Sequence, residues 1–296
     1  MSFLLLILRR CPFQMPEEVG KDKKGSALIL WPGGKREQQP DFLRSLHLEN
    51  GIVAAMECHA KGKPDLCQLA QASHALHDLD ASVLSGPLGC LCAALDELCG
   101  GKVRSVMCLL LQHGPNAGID GGKADKACIT SSLLGVALMQ ARAEYFWLRK
   151  IVVVDCWSFD GGMRLSAHSG MVQDSDLLFL NPLATTRWAS NKSVPTSDDA
   201  QAEIDKELTG DCNVRFEEAV QTITDFGPQI VVFLLGDKSA AAVTGGETAS
   251  LTNEMDYVWL GKWAADLTGK CCKGRSLTLS HDPHLIQQFL RGAYDS

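Results

Sequence analysis

Short runs of almost uninterrupted apolar residues constrain the fold of this chain more than any other feature. The clearest are Val103–Leu111, Ile151–Val154 and Gln229–Leu235. A strand with one face in water alternates between apolar and polar side chains, whereas a strand covered on both faces does not. Segments with helical spacing separate these runs along the chain. The pattern therefore predicts an α/β fold of three layers, with a mostly parallel sheet in the middle.

Weaker patterns predict the remaining elements and the domain organisation. The predicted strands are Ala27–Trp31, Val103–Leu111, Ile151–Val154, Leu177–Leu180, Gln229–Leu235 and Ser276–Leu279. The predicted helices are Asp65–His77, Gly86–Cys99, Ser131–Leu148, Phe216–Phe226, Leu251–Leu267 and His284–Arg291, the third with Thr130, Ser131 and Ser132 as capping residues. No repeat or linker divides the chain, so we expect an N-terminal arm over 1–25 and one domain over 26–296, with a polar insertion at about 185–213.

Composition limits the partners and environments that the chain can have. The 296 residues are 46% hydrophobic and 21% charged, which is typical of a globular protein with one large core. The net charge is -7 and no stretch is strongly basic, so we expect no nucleic-acid partner. The apolar run Phe3–Leu8 is too short to span a bilayer, and we expect no transmembrane segment.

The cysteines and the N-terminus bear on the compartment. Most of the twelve cysteines lie in apolar runs and no C-x-x-C pair occurs, which indicates packing in a reducing intracellular compartment. Metal binding is the alternative to packing at Cys90 with Cys92 and at the vicinal pair 271–272. At the N-terminus, Arg9 and Arg10 follow the apolar run and no acidic residue precedes Glu17. Two interpretations stay open, a mitochondrial targeting segment or a docking arm, and mitochondria are slightly favoured over cytosol or nucleus.

Four segments carry a resemblance to a known family. In chain order they are VMCLLLQHGPNAG (106–118), ALMQARAEYFWLRKIVVVDCWSFDGGMR (137–164), FEEAVQTITDFGPQIVVFLLGDKSA (216–240) and SLTLSHDPHLIQQFL (276–290). They resemble, in family order, the segments that lead into the strand-end motifs of the histone deacetylase family in the arginase–deacetylase superfamily. The resemblance covers roughly 100–291 and implies the arginase/deacetylase fold.

The same resemblance implies that the catalytic residues of the family are absent. The family binds zinc through two aspartates and a histidine, and the metal activates a water molecule. Asp155 matches a structural aspartate of the family. The positions of the zinc ligands fall on Trp157, Phe159 and Lys238, those of the general-base histidines on Pro115 and Asn116, and that of the oxyanion tyrosine on Pro283. A slip of one residue would restore Asp237, but one carboxylate does not hold catalytic zinc.

Some residues allow a metal-binding, catalytic or partner-binding role as the alternative to a structural one. His281, Asp282 and His284 could bind zinc, or they form a turn with His281 or Asp282 as the N-cap of the last helix. Asp237 with Lys238 could be an acid–base pair, or a solvated charge pair. Trp259 and Trp263 share one helix face, which serves core packing or, if exposed, a partner protein.

These observations predict no catalytic, cofactor-binding or metal-binding residue, and hence a pseudoenzyme without a cofactor. The expected role is that of a structural or interaction subunit whose partners are the other protein subunits of a larger intracellular assembly. Two alternatives remain: an enzyme of altered hydrolase chemistry that uses His113, Asp237, Lys238 and residues 281–284, or a binding module that uses the remnant pocket.

Overall fold

The fold alternates strands and helices along the chain. The computed structural model describes residues 26–32, 52–58, 63–71, 81–110, 126–156, 176–180, 182, 212–236 and 257–294. The strands are β1 (Ser26–Pro32), β2 (Ile52–Cys58), β3 (Ser105–Leu109), β4 (Ile151–Cys156), β5 (Leu177–Leu180), β6 (Ile230–Leu235) and β7 (Ser276–Ser280). The helices are α1 (Pro64–Gln71), α2 (Ala81–Cys99), α3 (Lys126–Glu144), α4 (Cys212–Phe226), α5 (Tyr257–Cys272) and α6 (Pro283–Tyr294).

The seven described strands form one sheet in the order β2-β1-β3-β7-β6-β4-β5. Every neighbouring pair is parallel. The prediction of a single α/β domain with a mostly parallel sheet is therefore confirmed. Because all seven strands run the same way, their carboxyl ends meet at one edge of the sheet, which is where open α/β sheets place their sites.

Helices cover both faces of the sheet, and this explains the uninterrupted apolar runs. Along β4, Ile151 and Val153 face the layer of α1, α2 and α3. Val152 and Val154 face the layer of α4, α5 and α6. Successive strand side chains point to opposite faces, so a strand buried on both sides is mostly apolar without alternation, and its polar residues, such as Asp155 of β4, are exceptions.

Several element predictions were wrong, including the end of α5, which lies at Cys272 instead of Leu267. β2 was not predicted, since its sequence IVAAMEC contains a glutamate and two alanines, which are weak strand formers. α2 begins at Ala81 instead of Gly86, with Pro87 inside the helix, where fully buried Leu84 and Leu88 flank it. α3 begins at Lys126, so residues 130–132 lie within the helix and do not cap it.

Helices α5 and α6 cross in backbone contact at two glycines. A β-carbon at Gly261 would lie 2.0 Å from the carbonyl oxygen of Phe289, and one at Gly292 would lie 1.7 Å from that of Val258. No side chain fits at either position unless the two helices separate. The remaining contact surface is apolar and includes Leu260 on α5 and Leu285 on α6.

Two further predictions concern parts of the chain that are mostly not described. The N-terminal arm 1–25 lies outside the described residues, and so does the insertion 185–213 except for its last two residues, which begin α4. Among the helices that are described, none combines the length and the apolar character that a membrane span requires.

Candidate functional site

The carboxyl edge of the sheet is the place where strand-end chemistry would be expected. Strand register puts Leu109 of β3, Ser280 of β7, Leu235 of β6 and Cys156 of β4 in one row. The backbone N–H of Leu110 donates to the carbonyl oxygen of Ser280 at 2.9 Å, which extends the pairing of β3 and β7 past this row. The residues that follow β3, β4 and β6, at 111–125, 157–175 and 237–256, lie outside the described part of the chain.

Of the residues that the resemblance assigns to the aspartate motif, Asp155 is the one that the sequence retains. It also lies within the described part of the chain. It is 1% exposed on β4, one position before the row at the carboxyl edge. A carboxylate at that burial requires polar partners, and Asp155 does take part in an interaction. Trp157, Phe159, Asp237, Lys238, His113, Pro115 and Asn116 lie outside the described residues, so their predicted roles stay predictions.

The turn after β7 caps the last helix. The Oδ1 atom of Asp282 accepts the backbone N–H of His284 at 2.8 Å. Asp282 is therefore the N-cap of α6, and Pro283 is its first residue, the position at which a missing N–H costs nothing. Ser280 tightens the turn because its Oγ accepts the backbone N–H of Asp282 at 3.1 Å.

The histidines of this turn have different surroundings. His281 lies close to α3, with its Nε2 atom 2.7 Å from the Oγ1 atom of Thr130, whereas His284 is exposed. Within the described ranges, no three side chains of His, Cys, Asp or Glu are grouped so that they could share a metal ion. The capping interpretation of the turn is thus the one that the hydrogen bonds support.

Two polar side chains at this edge were not singled out from the sequence. Thr130 is 1% exposed and contacts His281 from inside α3. Tyr257, the first residue of α5, is buried and donates from its hydroxyl to the carbonyl oxygen of Gly236 at 3.3 Å. Both contacts join residues distant in sequence, so neither local spacing nor a motif could have indicated them.

The two tryptophans of α5 enclose a phenylalanine of α4. The ring of Phe216 lies 4.9 Å from that of Trp259 and 4.9 Å from that of Trp263, edge to face in both cases. Trp263 also contacts Phe233 of β6, at 6.1 Å. The shared face therefore serves core packing, as one of the two interpretations predicted, although Trp259 itself remains 39% exposed.

Burial suppresses the reactivity of three of the described cysteines, Cys92, Cys99 and Cys272. Cys90 and Cys92 and the vicinal pair 271–272 are free thiols. Desolvation, with Asp96 second, raises the pKa of Cys92 to about 11. Desolvation also raises the pKa of Cys99 and of Cys272 to about 12. These three side chains are therefore protonated at neutral pH, and a thiol is a poor nucleophile and metal ligand.

A cleft of about 170 Å³ lies between the C-terminal halves of α2 and α3, close to α1. Lys63 bridges to Glu144 at 3.2 Å across it. Asp96 accepts the hydroxyl of Tyr145 at 3.2 Å, and desolvation raises the pKa of the Asp96 carboxyl. Both helices lead into the beginnings of strands, so this cleft lies at the opposite end of the sheet from Asp155 and His281.

Comparison with known proteins places the fold. In sequence, the chain matches no protein-family model and no curated protein. Among solved structures it is similar to the HD domain of HDA15, with 13% identity over 91% of this chain and 88% of that one and a TM-score of 0.49. It is also similar to the histone deacetylase Clr3, with 11% identity over 91% of this chain and a TM-score of 0.50. The matched part is 52% of Clr3, so this chain spans about half the length of that protein. The chain thus has a histone deacetylase-like fold.

Proposed function

We propose that this chain is a non-catalytic subunit whose deacetylase-like fold acts as a scaffold within a larger intracellular protein assembly. The observation that carries the proposal is that polar side chains at the carboxyl edge make hydrogen bonds within the fold. Asp282 caps α6, the Nε2 atom of His281 lies against Thr130, and the Tyr257 hydroxyl binds a backbone carbonyl. These hydrogen bonds support the structure of the edge, where an enzyme of this fold would carry ligands and proton donors.

The donor set of the sequence supports the same proposal. The positions that the resemblance assigns to zinc ligands hold Trp157, Phe159 and Lys238, and an indole, a phenyl ring and an ammonium group do not ligate zinc. A zinc ion therefore does not fit this set. A fold retained without its chemistry is explained most simply if its outer surface is what the cell uses.

Metal analysis and an activity assay test the absence of catalysis. We expect purified full-length protein to contain no stoichiometric zinc or manganese, to leave acetyl-lysine peptides intact, and to keep its Tm when a chelator is added. An active zinc deacetylase in the same assays serves as the positive control. One metal ion per chain, a chelator-sensitive Tm, or turnover that Asp237→Asn abolishes would contradict the proposal.

One observation favours the alternative of altered hydrolase chemistry. The 2.7 Å contact between the Thr130 hydroxyl and the His281 imidazole is the kind of pairing that activates a hydroxyl nucleophile. Thr130 is only 1% exposed, so a substrate could not reach it without a rearrangement. If this alternative is correct, the protein has a hydrolase activity that Thr130→Val abolishes. The scaffold proposal predicts no hydrolase activity in either protein.

A further inference from the structure

The amino-terminal edge of the sheet, opposite the candidate site, collects basic residues from three separate turns. Arg104 precedes β3, Arg149 and Lys150 precede β4, and Lys273 and Arg275 precede β7. The last turn of α5 contributes Lys270 to the same edge. The whole chain carries a net charge of -7, so this concentration of positive charge does not reflect the composition of the protein.

Backbone pairing brings the three turns together. The N–H of Ser276 donates to the carbonyl oxygen of Arg104 at 2.9 Å, so the turns before β3 and β7 are adjacent. The side chain of Arg104 runs along the second turn, since a β-carbon on Gly274 would lie 3.9 Å from its Cδ atom. On the other side of β6, Gln229 donates its N–H to the carbonyl oxygen of Lys150 at 2.8 Å.

Part of this positive charge has a structural role. Lys102 pairs with Glu97 at 2.7 Å. Lys150 donates to the carbonyl oxygen of Phe226 at 2.9 Å, which satisfies the C-terminal end of α4. Arg275 lies over the ring of Trp147, 5.3 Å from its centre. These cations are accounted for by the fold itself.

Four exposed cations at this edge have no such role. Within the part of the chain that the structure describes, no ion pair or side-chain hydrogen bond is made by Arg104, Arg149, Lys270 or Lys273. Two nearby carboxylates are ion-paired with other cations, Glu97 with Lys102 and Glu144 with Lys63. Asp266, one turn before Lys270 on α5, is the acidic group next to one of the four. The cations at this edge still outnumber the carboxylates available to pair with them.

Aromatic side chains of the turn before β4 lie at the same edge as these cations. Phe146 is 56% exposed, an unusual degree for so large an apolar side chain. Its neighbour Trp147 is half-buried between Arg275 and the ring of Tyr145, whose centre is 6.4 Å away. Exposed aromatic residues next to arginines are the combination that dominates the energetics of protein–protein interfaces.

We propose that the amino-edge surface, defined by Arg104, Phe146, Arg149, Lys270 and Lys273, binds an acidic protein segment that also carries apolar side chains. The proposal rests on the scaffold function proposed above and names the class of partner. A protein segment is favoured over nucleic acid because the four cations that are unpaired within the described residues are few against the roughly 6–10 phosphate contacts of a typical nucleic-acid complex. The overall negative charge of the chain would also repel a long polyanion.

Matched charge variants test this surface. The probe is a short fluorescent peptide of glutamate and leucine, compared with the same peptide carrying lysine for glutamate and with a single-stranded oligonucleotide of equal length. Binding to the full chain is measured by fluorescence anisotropy. The variant R104Q/R149Q removes two unpaired charges from the surface. The control K262Q removes an exposed charge from the amino-terminal half of α5, whose first residue, Tyr257, bonds the end of β6 at the opposite edge of the sheet.

We expect R104Q/R149Q to raise the Kd of the acidic peptide about tenfold at low salt and the control to leave it unchanged. The difference should shrink as salt screens the charges, whereas F146A should weaken binding at every salt concentration. Equal Kd values for both charge variants, or tighter binding of the oligonucleotide than of the peptide, would overturn the proposal. If the surface fails while the native protein still fractionates in a large assembly, the scaffold function stands and uses another surface.

Discussion

Burial controls the chemistry of single residues in this protein more than sequence neighbourhood does. Cys92, Cys99 and Cys272 lie in helices against the sheet, and desolvation is the largest contribution to the raised pKa of each thiol. A sequence can indicate that a cysteine lies in an apolar run, and that prediction was sound here. The predicted helix Gly86–Cys99 also implies that Asp96 lies near Cys92 and Cys99, which are four and three residues away, but the extent of their burial depends on how α2 packs.

The raised thiol pKa values predict how stability depends on pH. Above the ordinary thiol value of 9.0 the unfolded chain loses these protons, while the folded protein retains them up to about 12 for Cys99 and Cys272. The free energy of unfolding should therefore be unaffected near neutral pH and fall as the pH rises from 9 towards 12. Urea titrations at increasing pH measure this. Cys99→Ala should make the decline shallower, and an identical decline in that variant would argue against the assigned cause.

At the scale of elements, two glycines allow the close crossing of α5 and α6, although glycine has a low helix propensity. Glycine weakens a helix by about 0.5–1 kcal/mol relative to alanine, so its presence at 261 and 292 needs a compensating gain. The gain is backbone contact between the helices, which lets them cover β6 and β7 as one layer. The sequence predicted both helices, but not that they touch at these positions, because the contact depends on how the two helices cross in space.

Alanine substitutions distinguish the crossing glycines from an ordinary one. Gly261→Ala or Gly292→Ala should lower the free energy of unfolding by about 1–3 kcal/mol or more, since the added carbon meets rigid backbone. Gly269 lies on α5 with nothing within 4 Å of an added β-carbon. Gly269→Ala should therefore be neutral or stabilising by up to about 1 kcal/mol. Chemical denaturation measures all three, and similar effects at 261 and 269 would show that the contact is not tight.

The strands were easier to predict than the helix starts. Six of the seven described strands were indicated by their apolar runs, because burial on both faces leaves a strong signal. The start of α2 was predicted at Gly86, but the helix begins at Ala81 and keeps Pro87 inside it, where Leu84 and Leu88 pack in the core. Tertiary contacts outweighed a local rule in that case.

At the scale of the whole molecule, surface charge is organised by the sheet. No stretch of the sequence is strongly basic, since Arg104, Arg149 and Lys273 are far apart along the chain. Only the pairing of β3 with β7, and of β6 with both β7 and β4, brings their turns to one edge. A partner surface of this kind is therefore invisible to composition and appears once the topology is known.

The scaffold proposal predicts the size of the native protein. Size-exclusion chromatography of native extracts should place the protein well above the 32.0 kDa of one chain. We expect deletion of residues 1–16 either to prevent import or, if the segment is a docking arm, to weaken the association without lowering the Tm. Elution of the native protein as a free monomer, with no effect of the deletion, would contradict the subunit role.

The position of β7 has a consequence for the order in which the chain can fold. It pairs with β3 on one side and β6 on the other, and it comes after the other six described strands in the chain. Until residues 276–280 emerge from the ribosome, the described strands β2-β1-β3 and β6-β4-β5 have no direct pairing with each other. A chain at that stage of synthesis carries two half-sheets with open edges, which are exposed to mispairing. A premature stop codon shortly before residue 276 should consequently release two unjoined halves and not a slightly shortened protein.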